Sequence, residues 1–291
     1  MPHHEYTWHT EDGLRLFGQA WTPNDPASAV VCLIHGLGEH SGRYAAIAEA
    51  LTAADIACLA CDLRGHGYSE GVRGHAGAYE RLLDDIDLLL DVASTLFPGV
   101  PRFTYGHSLG GNLVLVHGLR RRPRLAGVVA VGPALRMVNA VPVWKLGAAI
   151  LFYHLWPSFQ FDNGLHHTQI SRSREETPDP LNHRLVSARL GLDMLRAGEW
   201  ALARAAKFSL PLLVMSGRED AVSDIDAAVA FASAAPDGTA QIWEKSYHEL
   251  HTDDAREAVF AYLISWLRGR ISSGEVAGNQ PAPTNVCDNS L

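Results

Sequence analysis

Short apolar runs alternate with longer amphipathic segments along most of this chain. The apolar runs are rich in β-branched residues, as in VVCLI at residues 30–34, and such unbroken runs are typical of strands buried on both faces of a sheet. Six buried strands are predicted, over residues 29–35, 56–62, 102–107, 127–132, 211–216 and 240–245. A hairpin with strands over residues 6–9 and 14–21 is expected at one edge of the sheet.

The segments between the predicted strands repeat their apolar residues at helical spacing. Leu82, Ile86, Leu89 and Leu90, for example, follow one another at steps that keep them on one helix face. Helices are predicted over residues 44–53, 79–96, 109–121, 224–234 and 254–268. Because strands alternate with helices, we expect an α/β fold with a mostly parallel central sheet and helices on both faces.

One interval interrupts this alternation. From Pro133 to Lys207 there is no obvious strand, and the interval is too long for a loop between a strand and a helix. Residues 133–207 are therefore expected to form an inserted helical cap on a core of residues 1–132 and 208–271. Residues 272–291 contain Gly, Pro, Ser and Asn but no aromatic residue, which predicts a disordered tail.

Composition narrows the class of protein. With 291 residues, of which 47% are hydrophobic, the chain can bury a large core without disulfide bonds. Its 24 basic and 32 acidic side chains disfavour a nucleic-acid partner, which would need a basic surface. No signal-peptide pattern is visible, and the apolar zone at residues 141–156 is too short to span a bilayer, so a cytoplasmic protein is expected.

The strongest chemical signal is GHSLG at residues 106–110, directly after a predicted strand and directly before a predicted helix. In this G-x-S-x-G setting the glycines allow a tight turn, and the serine, here Ser108, is exposed at the carboxyl edge of the sheet. The helix N-terminus then faces any oxyanion that forms there. Ser108 is therefore the predicted nucleophile.

A serine hydroxyl needs a base to take its proton and a carboxylate to orient that base. Asp220 and His248 follow the predicted strands over residues 211–216 and 240–245, and the order Ser, acid, His is that of α/β-hydrolases. Asp220 is preferred to Glu219, and to Asp224, which is expected to cap the next helix. His251 is interpreted as a surface residue or as a neighbour of the active site.

Two backbone N–H groups are expected to bind the tetrahedral oxyanion. One belongs to Leu109, the residue after the nucleophile. The other belongs to Leu37, in the loop HGLG at residues 35–38 that follows the first buried strand. His35 is expected to hold this loop by hydrogen bonds and not to act as a base.

Two spacings resemble metal or redox motifs, and neither predicts such a site. Cys58 and Cys61 lie in one predicted strand, where a spacing of three places their side chains on opposite faces. They are expected to be buried thiols without a chemical role. The run HELH at residues 248–251 is one residue shorter than the H-E-x-x-H zinc motif, and no third ligand is visible.

Five segments together resemble the monoacylglycerol lipase family of serine hydrolases. They are HGLGEHSGRY at residues 35–44, DLRGHGYSEG at 62–71, GHSLGG at 106–111, G-x-x-D at 217–220 and YH-x-x-H at 247–251. The resemblance spans roughly residues 5–270, apart from residues 133–207, and Leu109 stands where the family commonly has methionine. It implies the α/β-hydrolase fold and cofactor-free hydrolysis of monoacylglycerols or similar single-chain lipids. A lysophospholipase, a broad short- or medium-chain esterase and a non-catalytic small-molecule binder remain alternatives.

The predicted cap independently favours a lipid substrate. Twelve of the sixteen residues at 141–156 are apolar or aromatic, which exceeds what one buried helix face requires. Such a segment is expected to line an acyl channel and to contact a micelle or a membrane surface peripherally, the alternative being a cap helix buried against the body. Candidate channel residues are Trp144, Leu151, Phe152 and Phe159. No protein partner is inferred.

Overall fold

The computed structural model describes residues 1–139, 141–164 and 179–272. Except for Ser272, the predicted tail lies outside the described residues. Within them, no helix combines the length and the hydropathy needed to cross a bilayer.

An eight-stranded sheet forms the centre of the structure, in the order β1-β2-β4-β3-β5-β6-β9-β10. β1 pairs antiparallel with β2, and β2 pairs antiparallel with β4, whereas every later pairing in the sheet is parallel. The predicted edge hairpin and parallel sheet are thus confirmed. The strands are β1 His3–His9, β2 Arg15–Trp21, β3 Ala29–Ile34, β4 Ile56–Cys61, β5 Arg102–His107, β6 Gly127–Val131, β9 Leu212–Gly217 and β10 Gly238–Trp243.

Seven α-helices connect or follow the strands in the described part of the chain. The predicted helices match closely, although the last one continues to Ser272. The helices are α1 Ala45–Thr52, α2 Tyr79–Leu96, α3 Leu109–Arg120, α4 Val143–Leu155, α5 Ala188–Leu202, α6 Ile225–Ala234 and α7 Arg256–Ser272. Short 3₁₀ helices occupy Ser41–Tyr44 and Ala205–Lys207.

Helices cover both faces of the sheet and bury a separate apolar cluster on each. One cluster includes Leu82 of α2 and Cys61, and the other includes Leu263 of α7 and Cys58. The two cysteines therefore face opposite sides of the sheet, as their spacing predicts, and Cys32, Cys58 and Cys61 are buried free thiols. Burial raises the pKa of all three thiols, which suppresses their reactivity.

The segment between β6 and β9 contains α4, β7 (Gln160–Asp162), β8 (Leu185–Ser187) and α5. β7 and β8 form a separate antiparallel pair that the sequence pattern did not predict, because three residues are too few to show a period of two. The two helices differ in burial. α5 has seven buried residues, whereas α4 has no fully buried residue.

Candidate active site

Ser108 lies in the sharp turn between β5 and α3. Its φ of +53° and ψ of −113° are unfavourable for a residue with a Cβ atom, and its side chain makes no cap hydrogen bond to α3. A Cβ at Gly106 would collide with the Gly110 carbonyl oxygen, and one at Gly110 would collide with the Ile34 carbonyl oxygen. The turn therefore requires the glycines of the motif and leaves the half-buried Ser108 hydroxyl at the carboxyl edge of the sheet.

The structure brings the predicted acid and base together. Asp220 follows β9, His248 follows β10, and Asp220 Oδ2 lies 2.8 Å from His248 Nδ1. The other carboxylate oxygen of Asp220 accepts hydrogen bonds from the N–H groups of Val222 and Ser223, which fixes the carboxylate. Asp224 instead caps α6 by accepting from two backbone N–H groups, as predicted.

His248 lies beside the turn that carries Ser108. The Ser108 N–H donates to the Val131 carbonyl at 2.9 Å. At the next residue, Gly132, an added Cβ would lie only 3.0 Å from His248 Nδ1 and 3.3 Å from Asp220 Oδ2. His107, the residue directly before Ser108, has its ring centroid 4.8 Å from that of His248. The three predicted residues therefore share one small region of the sheet edge.

Electrostatics favour an ionised Asp220 and a His248 of raised pKa. Burial alone would raise the pKa of Asp220, but His248 and the two N–H donors outweigh it, so the pKa is lowered. Burial alone would lower the pKa of His248, but the Asp220 carboxylate outweighs it and holds this pKa above 6.5. The imidazole is thus suited to accept a proton and to keep its positive charge while a reaction proceeds.

The two predicted oxyanion donors belong to segments that adjoin Ser108. Leu109 is the first residue of α3, so its N–H has no acceptor within the helix. The loop that carries Leu37 approaches closely, since a Cβ at Gly36 would be 3.1 Å from Ser108 Cβ. His35 holds this loop, as predicted, with Nδ1 2.7 Å from the Gly36 carbonyl and Nε2 accepting from the Leu63 N–H.

Glu39 connects the loops of the site, which the sequence did not reveal. Its buried Oε1 accepts from the Gly36 N–H, from the Tyr44 hydroxyl at 2.7 Å and from His107 Nδ1 at 3.0 Å. His107 Nε2 in turn lies 3.3 Å from the His248 carbonyl oxygen. One carboxylate thus joins the oxyanion loop, the turn of the nucleophile and the loop of the base.

His251 belongs to the same buried region, so of its two predicted places the surface is wrong, and the structure shows a neighbour of the active site. Its side chain is buried, and its ring stacks on Tyr44 with centroids 4.3 Å apart. Ligand atoms of Glu39, Glu249 and His251 lie within 4.8 Å of one another, as in a metal site. The Arg43 guanidinium, however, lies 3.2 Å from the Glu39 carboxylate and 2.8 Å from the Glu249 carboxylate. It therefore supplies positive charge to both carboxylates.

A cavity of about 290 Å³ extends from the oxyanion loop to the segment between β6 and β9. Leu37 lines it at one point, Ala221 and Val222 line it directly after Asp220, and α4 and α5 contribute apolar side chains. Size and lining are those of a small-molecule site. The polar residues on its wall are Asn139, Lys145, Asp162, Asn163 and Ser187.

None of the four predicted channel residues lines this cavity. Trp144 and Leu151 point to solvent with 71% and 55% of their surface exposed, and Phe152 stacks on Phe159 with ring centroids 4.0 Å apart. The cavity is lined instead by the opposite face of α4, through Lys145, Leu146 and Ala149. A role of the four residues in lining an acyl channel stays a prediction.

Comparison with known proteins agrees with this fold. The model of the family described as Hydrolase_4: Serine aminopeptidase, S33, matches residues 25–255. The chain is 35% identical to an abhydrolase domain-containing protein of Dictyostelium discoideum over 95% of its own length, and spans 30% of that protein. It is 29% identical to a monoacylglycerol lipase of Mycolicibacterium smegmatis, covering 90% of this chain and 96% of that one.

A solved structure supports the same relationship. The crystal structure of Paleococcus ferrophilus monoacylglycerol lipase superposes with a TM-score of 0.76 at 29% sequence identity, covering 93% of this chain and 100% of that one. The predicted α/β-hydrolase fold is therefore confirmed. The chain is a serine hydrolase of the Hydrolase_4 family, and the predicted relationship to monoacylglycerol lipases is confirmed.

Proposed function

We propose that this chain hydrolyses carboxylic esters of single-chain lipids through Ser108, His248 and Asp220. The observation that carries the proposal is the 2.8 Å contact between His248 and Asp220, at the same sheet edge as a serine held at φ +53°. A serine hydroxyl becomes a nucleophile when an imidazole, oriented by a carboxylate, takes its proton. The lowered pKa of Asp220 and the raised pKa of His248 suit these two roles.

The proposed reaction has two steps. Ser108 Oγ attacks the ester carbonyl carbon while His248 Nε2 takes its proton; the bond to the alcohol then breaks, and His248 returns the proton to the leaving oxygen. In the second step a water molecule gives a proton to the same nitrogen and attacks the acyl-enzyme. The fatty acid leaves and Ser108 regains its proton. The N–H groups of Leu37 and Leu109 bind the oxyanion, each contributing about 3 kcal/mol to transition-state stabilisation.

The proposed substrate is a monoacylglycerol, which yields a fatty acid and glycerol. The mostly apolar cavity beside Leu37 suits one acyl chain, and relatives named monoacylglycerol lipases match the chain over nearly its whole length. Residues 133–207 are proposed to act as a cap over the site. Val143, Trp144, Leu155 and Trp156 expose more than half of their surface, and we propose that they contact a membrane or micelle that delivers the lipid.

We expect a preference for the glycerol head group. Release of lauric acid from 1-lauroylglycerol should have a kcat/KM at least about tenfold above that from lauroyl-lysophosphatidylcholine, because the zwitterionic head group must be desolvated at the site. Both lipids are presented in the same mixed micelles and fatty acid release is measured. Equal rates, or faster hydrolysis of the lysophospholipid, would identify a lysophospholipase or a broad esterase instead.

The pH dependence should report His248. Protonated imidazole cannot take the Ser108 proton, so kcat/KM should fall as the pH is lowered through the pKa of His248. Because Asp220 holds this pKa above 6.5, half-maximal kcat/KM is expected above pH 6.5. The measurement is kcat/KM for p-nitrophenyl butyrate from about pH 5 to pH 9. A rate that stays constant well below pH 6.5 contradicts the role of His248 as the base.

A further inference from the structure

We infer that the cavity accepts about twelve carbons of the acyl chain, and that the missing side chain of Gly191 provides part of this length. The inference rests on the proposed ester hydrolysis and adds a selectivity to it. It concerns the face of α5 that points toward α4, and not the four predicted channel residues.

The cavity wall is apolar over most of its length. Met137 and Val222 line it near the sheet edge, where the Val138 N–H donates to the Val222 carbonyl at 2.9 Å. Leu192 and Leu195 of α5 also contribute apolar side chains to the wall. An acyl chain bound here removes apolar surface from water at each methylene. When the whole free energy of that burial is retained in the transition state, each carbon raises kcat/KM by about fourfold.

The cavity volume gives the number of carbons. An apolar cavity of about 150 Å³ is known to hold benzene, so each carbon needs about 25 Å³. The 290 Å³ found here then accommodates about twelve carbons. A saturated chain of this length fills the cavity, and shorter chains leave part of it without contacts.

Beyond the cavity, further carbons gain little. Lys145, Asp162 and Asn163 belong to its wall, and the Asp162 side chain, paired with Arg184 at 3.0 Å, is 59% exposed. A chain longer than the cavity therefore places its additional carbons in water or against charged groups, where they bury little further apolar surface. We expect kcat/KM to rise with chain length up to about twelve carbons and then to stop rising.

Gly191 is a position where an added side chain would shorten the cavity. It lines the cavity, and an added Cβ would meet only Val186 Cγ2, at an ordinary 3.5 Å. Val186 lines the cavity too, so a side chain at 191 extends into the same space. Leucine there adds four carbons, which should shorten the accommodated chain by about four carbons. Because Gly191 is within α5, the substitution also favours the helix.

The test compares Gly191→Leu with Gly147→Leu on a series of p-nitrophenyl esters from acetate to palmitate, each below its critical micelle concentration. Gly147 lies in α4, is exposed and has open space around an added Cβ, so its variant matches the helix effect without entering the cavity. The wild type and Gly147→Leu should reach maximal kcat/KM near laurate. Gly191→Leu should reach its maximum near octanoate and lose about 250-fold on laurate, with a loss below about threefold on butyrate.

A second variant tests the inference in the opposite direction. Leu195→Ala removes three carbons from the wall and should move the maximum to a chain about three carbons longer. The inference is overturned if the maximum stays in place in both cavity variants, or if Gly191→Leu lowers kcat/KM equally at every length. Failure of the proposed function would differ, because the wild type would then hydrolyse no ester of any length.

Discussion

Replacing Ser108 with alanine should lower kcat for ester hydrolysis by about 10⁵- to 10⁶-fold, because no other group can form the acyl-enzyme. The remaining rate above that of water would come from the oxyanion donors and from substrate binding. The measurement is single-turnover release of p-nitrophenol from the butyrate ester. A variant that retains more than about one per cent of the wild-type rate contradicts the assignment of Ser108.

Folding and catalysis can be separated at this position. Ser108 has a positive φ that is costly for any residue with a Cβ atom, so Ser108→Gly should be inactive yet unfold with a free energy about 1 kcal/mol higher than Ser108→Ala. Denaturant unfolding of both variants measures this difference. Inactivity together with retained or increased stability shows that the hydroxyl, and not the fold, was lost.

Replacing Asp220 with asparagine should lower kcat by about 10⁴-fold. The amide has nearly the shape of the carboxylate and can still accept from the N–H groups of Val222 and Ser223. It removes, however, the negative charge that raises the pKa of His248, and it no longer selects the tautomer with the proton on Nδ1. Steady-state kinetics at several pH values should therefore show both a lower kcat and an acid limb displaced to lower pH.

The matched control is Asp224→Asn, in the same loop. Asp224 caps α6, and asparagine caps helices about as well as aspartate. This variant should keep its activity within about twofold and its free energy of unfolding within about 0.5 kcal/mol of the wild type. If both variants lose activity to the same extent, the loop conformation is responsible, and the specific role of Asp220 is contradicted.

Elements with a long, clear hydrophobic pattern were predictable from the sequence. The buried strands are unbroken apolar runs, whereas α2 repeats its apolar residues at helical spacing and spans residues 79–96 as predicted. The places of Ser108, Asp220 and His248 were predictable because parallel strands bring their carboxyl ends to one edge of the sheet. The contact between Asp220 and His248 follows from that arrangement.

Contacts across space were not predictable in the same way. Glu39 meets His107, 68 positions away, only because β3 and β5 are neighbours in the sheet. No local pattern marks that pairing, and the contact of Glu39 with Arg43 at 3.2 Å was not predicted either. The apolar residues of α4 likewise gave no indication of which face lines the cavity, because nearly all sides of the helix are apolar.

Covalent labelling with a fluorophosphonate probe tests the central claim most directly, since such a probe reacts only with a serine activated by its neighbours. Intact wild-type protein is labelled, digested and analysed by peptide mass spectrometry. We predict a single adduct on Ser108, formed much more slowly in Asp220→Asn and absent in Ser108→Ala. An unlabelled wild type, or an adduct on a different serine, would contradict the account.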